Sequence, residues 1–361
     1  MKKTFAMILS LSLILMLLAG CGAAPAATVT PADTANDPAL TKAETNFAPV
    51  ELSLATSYST SHAFFAYLQK FADKVAEATD GNVKIVIYDS NTLVAAADMH
   101  SAVVNGVVDM VETDVAYDTS AFPLSTATYL PNFNAASSKT FTYAFNEFYQ
   151  EERDEYAVMK ILWAYGMTPF AILSNKEIHT LDDIQGLSIR ATGAALEAMT
   201  ALGASPIGMP ISETYEAAQK GTVKAICNSY ETLKGWNFAE VVKYGVEVKG
   251  ISTGNHYIAI NQGVWDSLPA EYQETITAIS AEMVDEAAGL FDSIDAEGKA
   301  FGEEHNVSFS VLSDEEQVRW SEALQPVIEK WISEKTAAGL DAQGTYDHLV
   351  ELVNKYAAIY G

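Results

Sequence analysis

Arg190 is the residue whose type and setting most clearly suit binding chemistry. It ends the apolar run Leu187-Ser188-Ile189, a short strand in pattern, and small residues follow it. An arginine at a strand end presents a planar fork of donors matched to a carboxylate. Asn228 ends a second strand-like run, Val223 to Cys227. In open α/β sheets ligands bind outside the carboxyl ends of the strands, so both residues point to one anion-binding edge. Taken singly, each admits a plainer role: an arginine there can hold a surface ion pair, and an asparagine can form a turn.

Other chemistries find less support. Histidines 62, 100, 179, 256, 305 and 348 fall into no metal-ligand spacing, and two cysteines cannot build a thiolate site, so no metal or cofactor is expected. His256 enters a strand and reads as structural. There is no Gly-x-Ser-x-Gly, dinucleotide or phosphate-loop motif, and an enzyme is not expected. Cys227, in a buried strand, reads as a small hydrophobe.

The elements that must position Arg190 and Asn228 alternate strand and helix. Glu51–Thr56 and Val83–Tyr88 are strands, the latter a buried β-branched run. Between them Phe64, Leu68, Phe71 and Val75 mark a helix face over 59–78. Leu93–Val104 is a helix, Val107–Glu112 and Val158–Trp163 are strands, and Phe141–Tyr156 is a helix. This rhythm predicts parallel α/β sheets. After Arg190, Ala195–Leu202 reads as a helix stopped by Gly203, Ser212 as the N-cap of a helix ending at Gly221, and Tyr230–Val242 as a helix carrying Trp236. Breaks near Pro169 and over Gly250–Asn255 are candidate hinge crossings. Beyond Pro269, a face of Tyr272, Ile276, Ile279, Met283, Ala287, Leu290 and Ile294 marks a helix long enough to span two lobes. Ser313–Glu316 is a capping box opening the last helical region.

The order of motifs resembles a known family. Gly186-Leu187-x-Ile189-Arg190, Leu202-Gly203-Ala204-x-Pro206, and Met209-Pro210-x-Ser212-Glu213-x-Tyr215-x-Ala217-x-Gln219-x-Gly221 are similar to the substrate-binding proteins of TRAP transporters, the DctP type. Ala55-Thr56-Ser57, Thr79-Asp80-Gly81-Asn82-Val83 and Trp265-Asp266-Ser267-Leu268-Pro269 extend the resemblance over roughly residues 51 to 350. It implies a two-lobe α/β periplasmic-binding-protein-like fold with a hinge and a long helix spanning both lobes. It also implies Arg190 on the substrate carboxylate, Asn228 in the cleft, and delivery of a small organic acid to TRAP membrane permease subunits. The chain departs from the family in three places. Cys227-Asn228-Ser229 replaces Glu-Asn-Pro, Ile211 replaces an aromatic, and Gly166-Met167-Thr168 replaces a Gly-Phe-Arg segment, so the resemblance carries over one arginine contact. Ile211 and Met209 add apolar surface, and Trp163, Tyr165, Tyr230 and Trp236 are near the proposed cleft in sequence. The ligand expected is therefore a monocarboxylate with an apolar or aromatic body.

The two ends of the chain carry other signals. Residues 1–20 read as a signal peptide: Lys2-Lys3, then an apolar run from Phe5 to Leu18, too short for a membrane span. Leu18-Ala19-Gly20-Cys21 resembles the bacterial lipobox, which implies lipidation of Cys21. Residues 21–50, rich in Ala, Thr, Pro and Asp, read as a tether, so the only membrane association expected is through the lipid anchor. The folded part divides into lobe I, 51–168 with 256–295, and lobe II, 169–255 with 296–361. A net charge of −26 repels nucleic acid and anionic membranes, so neither is an expected partner. The expected function is an extracytoplasmic solute-binding protein. A sensory lipoprotein and a secreted hydrolase are the alternatives.

Overall fold

The computed structural model describes residues 47–151 and 153–360, all within one compact unit. The signal peptide, Cys21 and residues 21–46 of the tether lie outside the described residues.

Two mixed sheets form two lobes. The first lobe runs β1 (Val50–Ala55), α1 (Ala63–Ala78), β2 (Val83–Tyr88), α2 (Met99–Val104), β3 (Met110–Asp114), α3 (Ser138–Glu151) and β4 (Met159–Gly166). The second runs β5 (Ala171–Ser174), β6 (Ser188–Ala191), α4 (Ala194–Ala201), β7 (Ser205–Gly208), α5 (Ile211–Gln219), β8 (Ala225–Asn228), α6 (Thr232–Gly235) and β9 (Tyr244–Glu247). The chain then returns through β10 (Asn255–Asn261) and α7 (Gln262–Ser267) to α8 (Ala270–Glu304), β11 (Ser308–Val311), α9 (Asp314–Ala337) and α10 (Ala342–Tyr360). The sheet orders are β2-β1-β3-β10-β4 and β11-β9-β5-β8-β6-β7. The expected parallel pairing holds for β1 with β2 and β3, and for β6 with β7 and β8. At the crossings it gives way: β10 is antiparallel to β3 and β4, and β5 to β8 and β9, because a strand that returns between lobes enters its sheet from the opposite end.

Patterning explains most of these elements. Phe64, Leu68, Phe71 and Val75 on α1 are all fully buried against the first sheet. The strand β2 was expected to be buried on both faces. It is an edge strand with Val83 and Ile85 inward and Tyr88 38% exposed; its β-branched composition suits a half-covered edge equally well. Pro210, not Ser212, caps α5, so Ser212 sits one residue inside the helix. The helix expected over 230–242 is a single turn, α6, ended by Trp236 and by Asn237 in the left-handed region at φ 58°.

The hinge is made where the crossings run side by side. Asn255 pairs with Gly166, Met167 N–H donates to Gly254 O at 3.0 Å, and Phe170 N–H donates to Ser252 O at 2.9 Å. Helix α8 has 35 residues, about 50 Å at 1.5 Å each, and packs on α1, α3 and β4 of one lobe and on α6 and β11 of the other. At its contact with α6, Gly298 leaves room for the chain: a Cβ there would lie 2.2 Å from the Tyr230 carbonyl oxygen. The C-terminal segment does not stay with one lobe as expected. Helix α9 packs on α4, with Lys330 Nζ 2.6 Å from Glu197, but α10 returns to α3, stacking Tyr356 on Tyr143 and pairing Lys355 with Glu147 at 2.6 Å. Its apolar face, Leu349, Leu352 and Val353, is plain in the sequence, but nothing there marks which lobe it covers.

Candidate functional site

Between the lobes lies a cavity of about 30 Å³, room for a water or two. Its second-lobe wall comes from strand ends and helix starts: Arg190 on β6 and Thr192 just after it, Ile211 at the start of α5, Asn228 at the end of β8, then Glu231 and Trp236 around α6. The first lobe contributes Ser57 and Tyr58 after β1, Glu112, Thr113 and Asp114 of β3, Tyr117, and His256 of β10. Met167 and Phe170 enter from the hinge crossing.

Arg190 is 2% exposed, and its Nε donates to the Met209 carbonyl at 3.1 Å. That bond anchors the guanidinium from behind, and no carboxylate among the described residues lies within ion-pair distance of it. A buried guanidinium without an internal counter-ion is costly unless a ligand supplies one. Asn228 Oδ1 accepts the Ser229 N–H at 2.8 Å, which orients the amide at the cavity wall. Beside Arg190, burial pushes the Cys227 thiol up to about 12 despite the nearby positive charge. Burial also raises the Tyr117 phenol to about 12; there Arg190 pulls down and Asp114 pushes up, so Tyr117 feels both charges.

Opposite Arg190 stands a buried acidic group that the sequence did not mark. Glu112 accepts from Thr56 Oγ1 at 2.6 Å and the Tyr165 hydroxyl at 2.7 Å, and His256 Nδ1 is 3.0 Å from it. Asp114 accepts from Ala116 N–H at 2.7 Å and from the Tyr129 hydroxyl on Oδ1, and its Oδ2 is 3.6 Å from His256 Nε2. Burial lowers the His256 pKa, but Asp114, Glu112 and Glu231 outweigh it and leave the imidazole raised. Glu112 at Nδ1 and Asp114 near Nε2 thus favour the protonated ring. Glu231 meets His62 Nε2 at 3.0 Å, and His62 Nδ1 accepts Phe64 N–H at the start of α1. This assigns the His62 proton to Nε2, donating to Glu231 across the cleft. A second crossing is the Ile211 N–H to the Tyr117 hydroxyl at 3.3 Å, and a third is close packing of Gly193 (φ +54°) on Ala116.

Of the residues singled out from sequence, Arg190, Asn228, Ile211 and Trp236 line the cavity. Met209 contributes its backbone carbonyl, not its side chain. Trp163 and Tyr165 are fully buried and do not line it: two apart on β4, they share the face toward the first-lobe core, where Trp163 packs edge-on against Phe71 and Tyr165 stacks on Phe291. Tyr165 still reaches the site at one remove, through Glu112. Tyr230 turns to the hinge side and packs edge-on against Phe309. His256 was read as structural, yet it is both cavity-lining and internally bonded. The acidic group escaped because its members come from three separated segments and only the fold converges them.

Two lobes joined by crossing strands, with a charged cavity between them, define a hinged solute-binding protein. Residues 54–335 match the model of bacterial extracellular solute-binding protein, family 7 (DctP), and the chain belongs to that family, the TRAP substrate-binding proteins. It is 32% identical over 162 residues to the C4-dicarboxylate-binding periplasmic protein of Rhodobacter capsulatus, covering 44% of this chain and 48% of that one. It is 26% identical over 264 residues to the monocarboxylate 2-oxoacid-binding periplasmic protein of a Nostoc species, covering 69% and 70%. A TRAP periplasmic solute-binding protein from Bordetella bronchiseptica, solved with (R)- and (S)-mandelate bound, is 25% identical with a TM-score of 0.77 over 85% of this chain and 99% of that one. TRAP solute-binding proteins are extracytoplasmic, bind small organic acids and work with membrane permease subunits. Among the described residues, no helix is long and apolar enough to cross a membrane.

Proposed function

We propose that this protein binds a small organic acid in the interlobe cavity, with Arg190 on its carboxylate, closes on it by hinge motion and delivers it to TRAP membrane permease subunits. The observation that carries this reading is Arg190 itself, buried in the cavity wall, fixed through Nε and, among the described residues, with no carboxylate within ion-pair distance. Asn228 adds a polar contact, and Ile211, Trp236, Tyr58, Met167 and Phe170 offer apolar and aromatic surface for the body of the acid. These surfaces favour a monocarboxylate with an apolar or aromatic body, as mandelate is in the Bordetella bronchiseptica relative. The cavity as closed is smaller than such an acid, so entry requires the lobes to part, and ligand contacts to both lobes then drive closure. The acid leaves unchanged: the Cys227 thiol is held far from its thiolate form, and His256 is bonded to Glu112 through Nδ1 with Asp114 near its other nitrogen. Lipidation at Cys21 would hold the protein at the outer face of the membrane, where the permease opens.

The test is a thermal-shift screen of organic acids against their carboxamides. An acid at 100 times its dissociation constant should stabilise the fold by about 2.7 kcal/mol, and its amide should not. Equal shifts from acids and amides would refute carboxylate recognition.

A further inference from the structure

The cavity holds more carboxylates than cationic groups, and a carboxylate ligand adds one more negative charge to it. Glu112, Asp114 and Glu231 are each at least nine-tenths buried and all line it. Facing them are Arg190 and His256, whose ring Glu112 and Asp114 favour in its protonated form; His62 donates to Glu231 through Nε2 while its Nδ1 accepts the Phe64 N–H. Even with the His256 ring protonated, two cationic groups stand against three carboxylates before any ligand enters. A monoanion bound to Arg190 would consume the charge of that arginine and leave His256 alone against three carboxylates. An unbalanced charge buried in a closed chamber is strongly disfavoured.

The hydrogen bonds show where compensation fits. Among the described residues, Glu112 is engaged on both oxygens, but Glu231 is engaged on Oε2 alone. The donors to Asp114 reach Oδ1, while Oδ2 has His256 Nε2 at 3.6 Å, too long for a hydrogen bond. Thr113, between Glu112 and Asp114 in sequence, also lines the cavity, and its buried hydroxyl has no partner among the described residues. Acceptor capacity is therefore left on Asp114 and Glu231. An ammonium group has three donors and a full charge to offer there; a hydroxyl has one donor and no charge.

We infer that the ligand is a zwitterion: a monocarboxylate whose body carries a cationic amine, the carboxylate on Arg190 and the amine facing Asp114 and Glu231. This deepens the reading of the cleft as a carboxylate site and rests on it. The residues that select the amine are Asp114 and Glu231, with Glu112 holding His256 in place as their counter-ion. The aromatic and apolar lining of Tyr58, Trp236 and Ile211 then takes the rest of the body, as in a branched or aromatic amino acid.

Calorimetry on the full chain with matched pairs decides it: leucine against 4-methyl-2-oxopentanoate, phenylalanine against phenylpyruvate, and 3-(aminomethyl)benzoate against 3-methylbenzoate. The last pair sets the amine at a longer spacing. In at least one pair the amine-bearing member should bind tenfold or more tightly than its partner, and Glu231→Gln or Asp114→Asn should weaken the amine-bearing member more than its amine-free partner and so erase that preference. The wild-type comparison stands even if a variant fails to fold. If the amine-free member binds as well or better in every pair, or if succinate or a hexuronate binds more tightly than all six, the zwitterion is wrong and carboxylate recognition survives. If no carboxylate of any kind binds, both readings fall together.

Discussion

His62 Nε2 lies 3.0 Å from Glu231 Oε2, joining the start of α1 in one lobe to the start of α6 in the other, with both side chains 2% exposed. A buried hydrogen bond to a charged group, made only when the lobes are together, favours the closed state before ligand arrives. His62→Asn keeps a side-chain acceptor for the N-terminus of α1 but cannot reach Glu231. The ligand-free variant should show a larger radius of gyration by small-angle X-ray scattering than wild type. Its affinity should fall by the equivalent of about 1.5–3 kcal/mol. An unchanged radius with unchanged affinity would show that the bond does not hold the lobes.

Trp236 should report ligand binding. It lines the cavity, its ring 5.9 Å from Tyr58 and 6.0 Å from His62, whereas Trp163 is sealed in the first-lobe core. Trp236→Phe should lose most of the ligand-induced change in tryptophan fluorescence and cost about 0.5–1.5 kcal/mol of affinity. Trp163→Phe should keep the signal. The reverse pattern would remove Trp236 from the ligand surface.

Asp295, on α8 behind the hinge, has its carboxyl raised from 3.8 to about 7 by burial, with the Glu231 charge adding to it. Because the folded value exceeds the unfolded one, the folded state holds the extra proton between those limits. This group therefore favours folding most at low pH and loses that contribution as pH rises from about 4 to about 7. Asp295→Asn retains the oxygen that accepts the Glu231 N–H at 2.9 Å and removes the titration. Its melting temperature should exceed that of wild type at pH 8, and the gap should narrow at pH 5. Parallel melting profiles for the two proteins would contradict this account of Asp295.

Cys21 should decide where the protein resides. Cys21→Ala should release the protein from the membrane fraction or leave it unprocessed, because the acyl acceptor is gone. Fractionation that finds the variant membrane-bound and processed like wild type would rule out lipid anchoring at that position.

Much of this architecture was legible in the sequence because local chemistry and the fold agree. The face of α1, the long α8 beyond Pro269, and the strand that delivers Arg190 all follow from spacing and stop signals. Arg190 and Asn228 were reachable because strand ends in α/β sheets face the ligand edge. Trp163 and Tyr165 misled for a related reason: two residues apart on a strand they share a face, but sequence does not say which face meets the core. The acidic group was invisible. Glu112 and Asp114 lie on β3, Glu231 lies more than a hundred residues on, and His256 returns on β10. In an acidic chain each reads as one more solvated charge until packing draws them together.

The central claim is that Arg190 is the carboxylate ligand. Calorimetry with the tightest acid from the screen should be run on wild type, Arg190→Lys and Arg190→Ala, with folding checked by circular dichroism. The geometry predicts no detectable binding to the alanine variant. The lysine variant should be weaker by about 1.5–3 kcal/mol, since an ammonium keeps the charge but cannot make two parallel bonds. A lysine variant that binds as tightly as wild type, or an alanine variant that still binds, would contradict it.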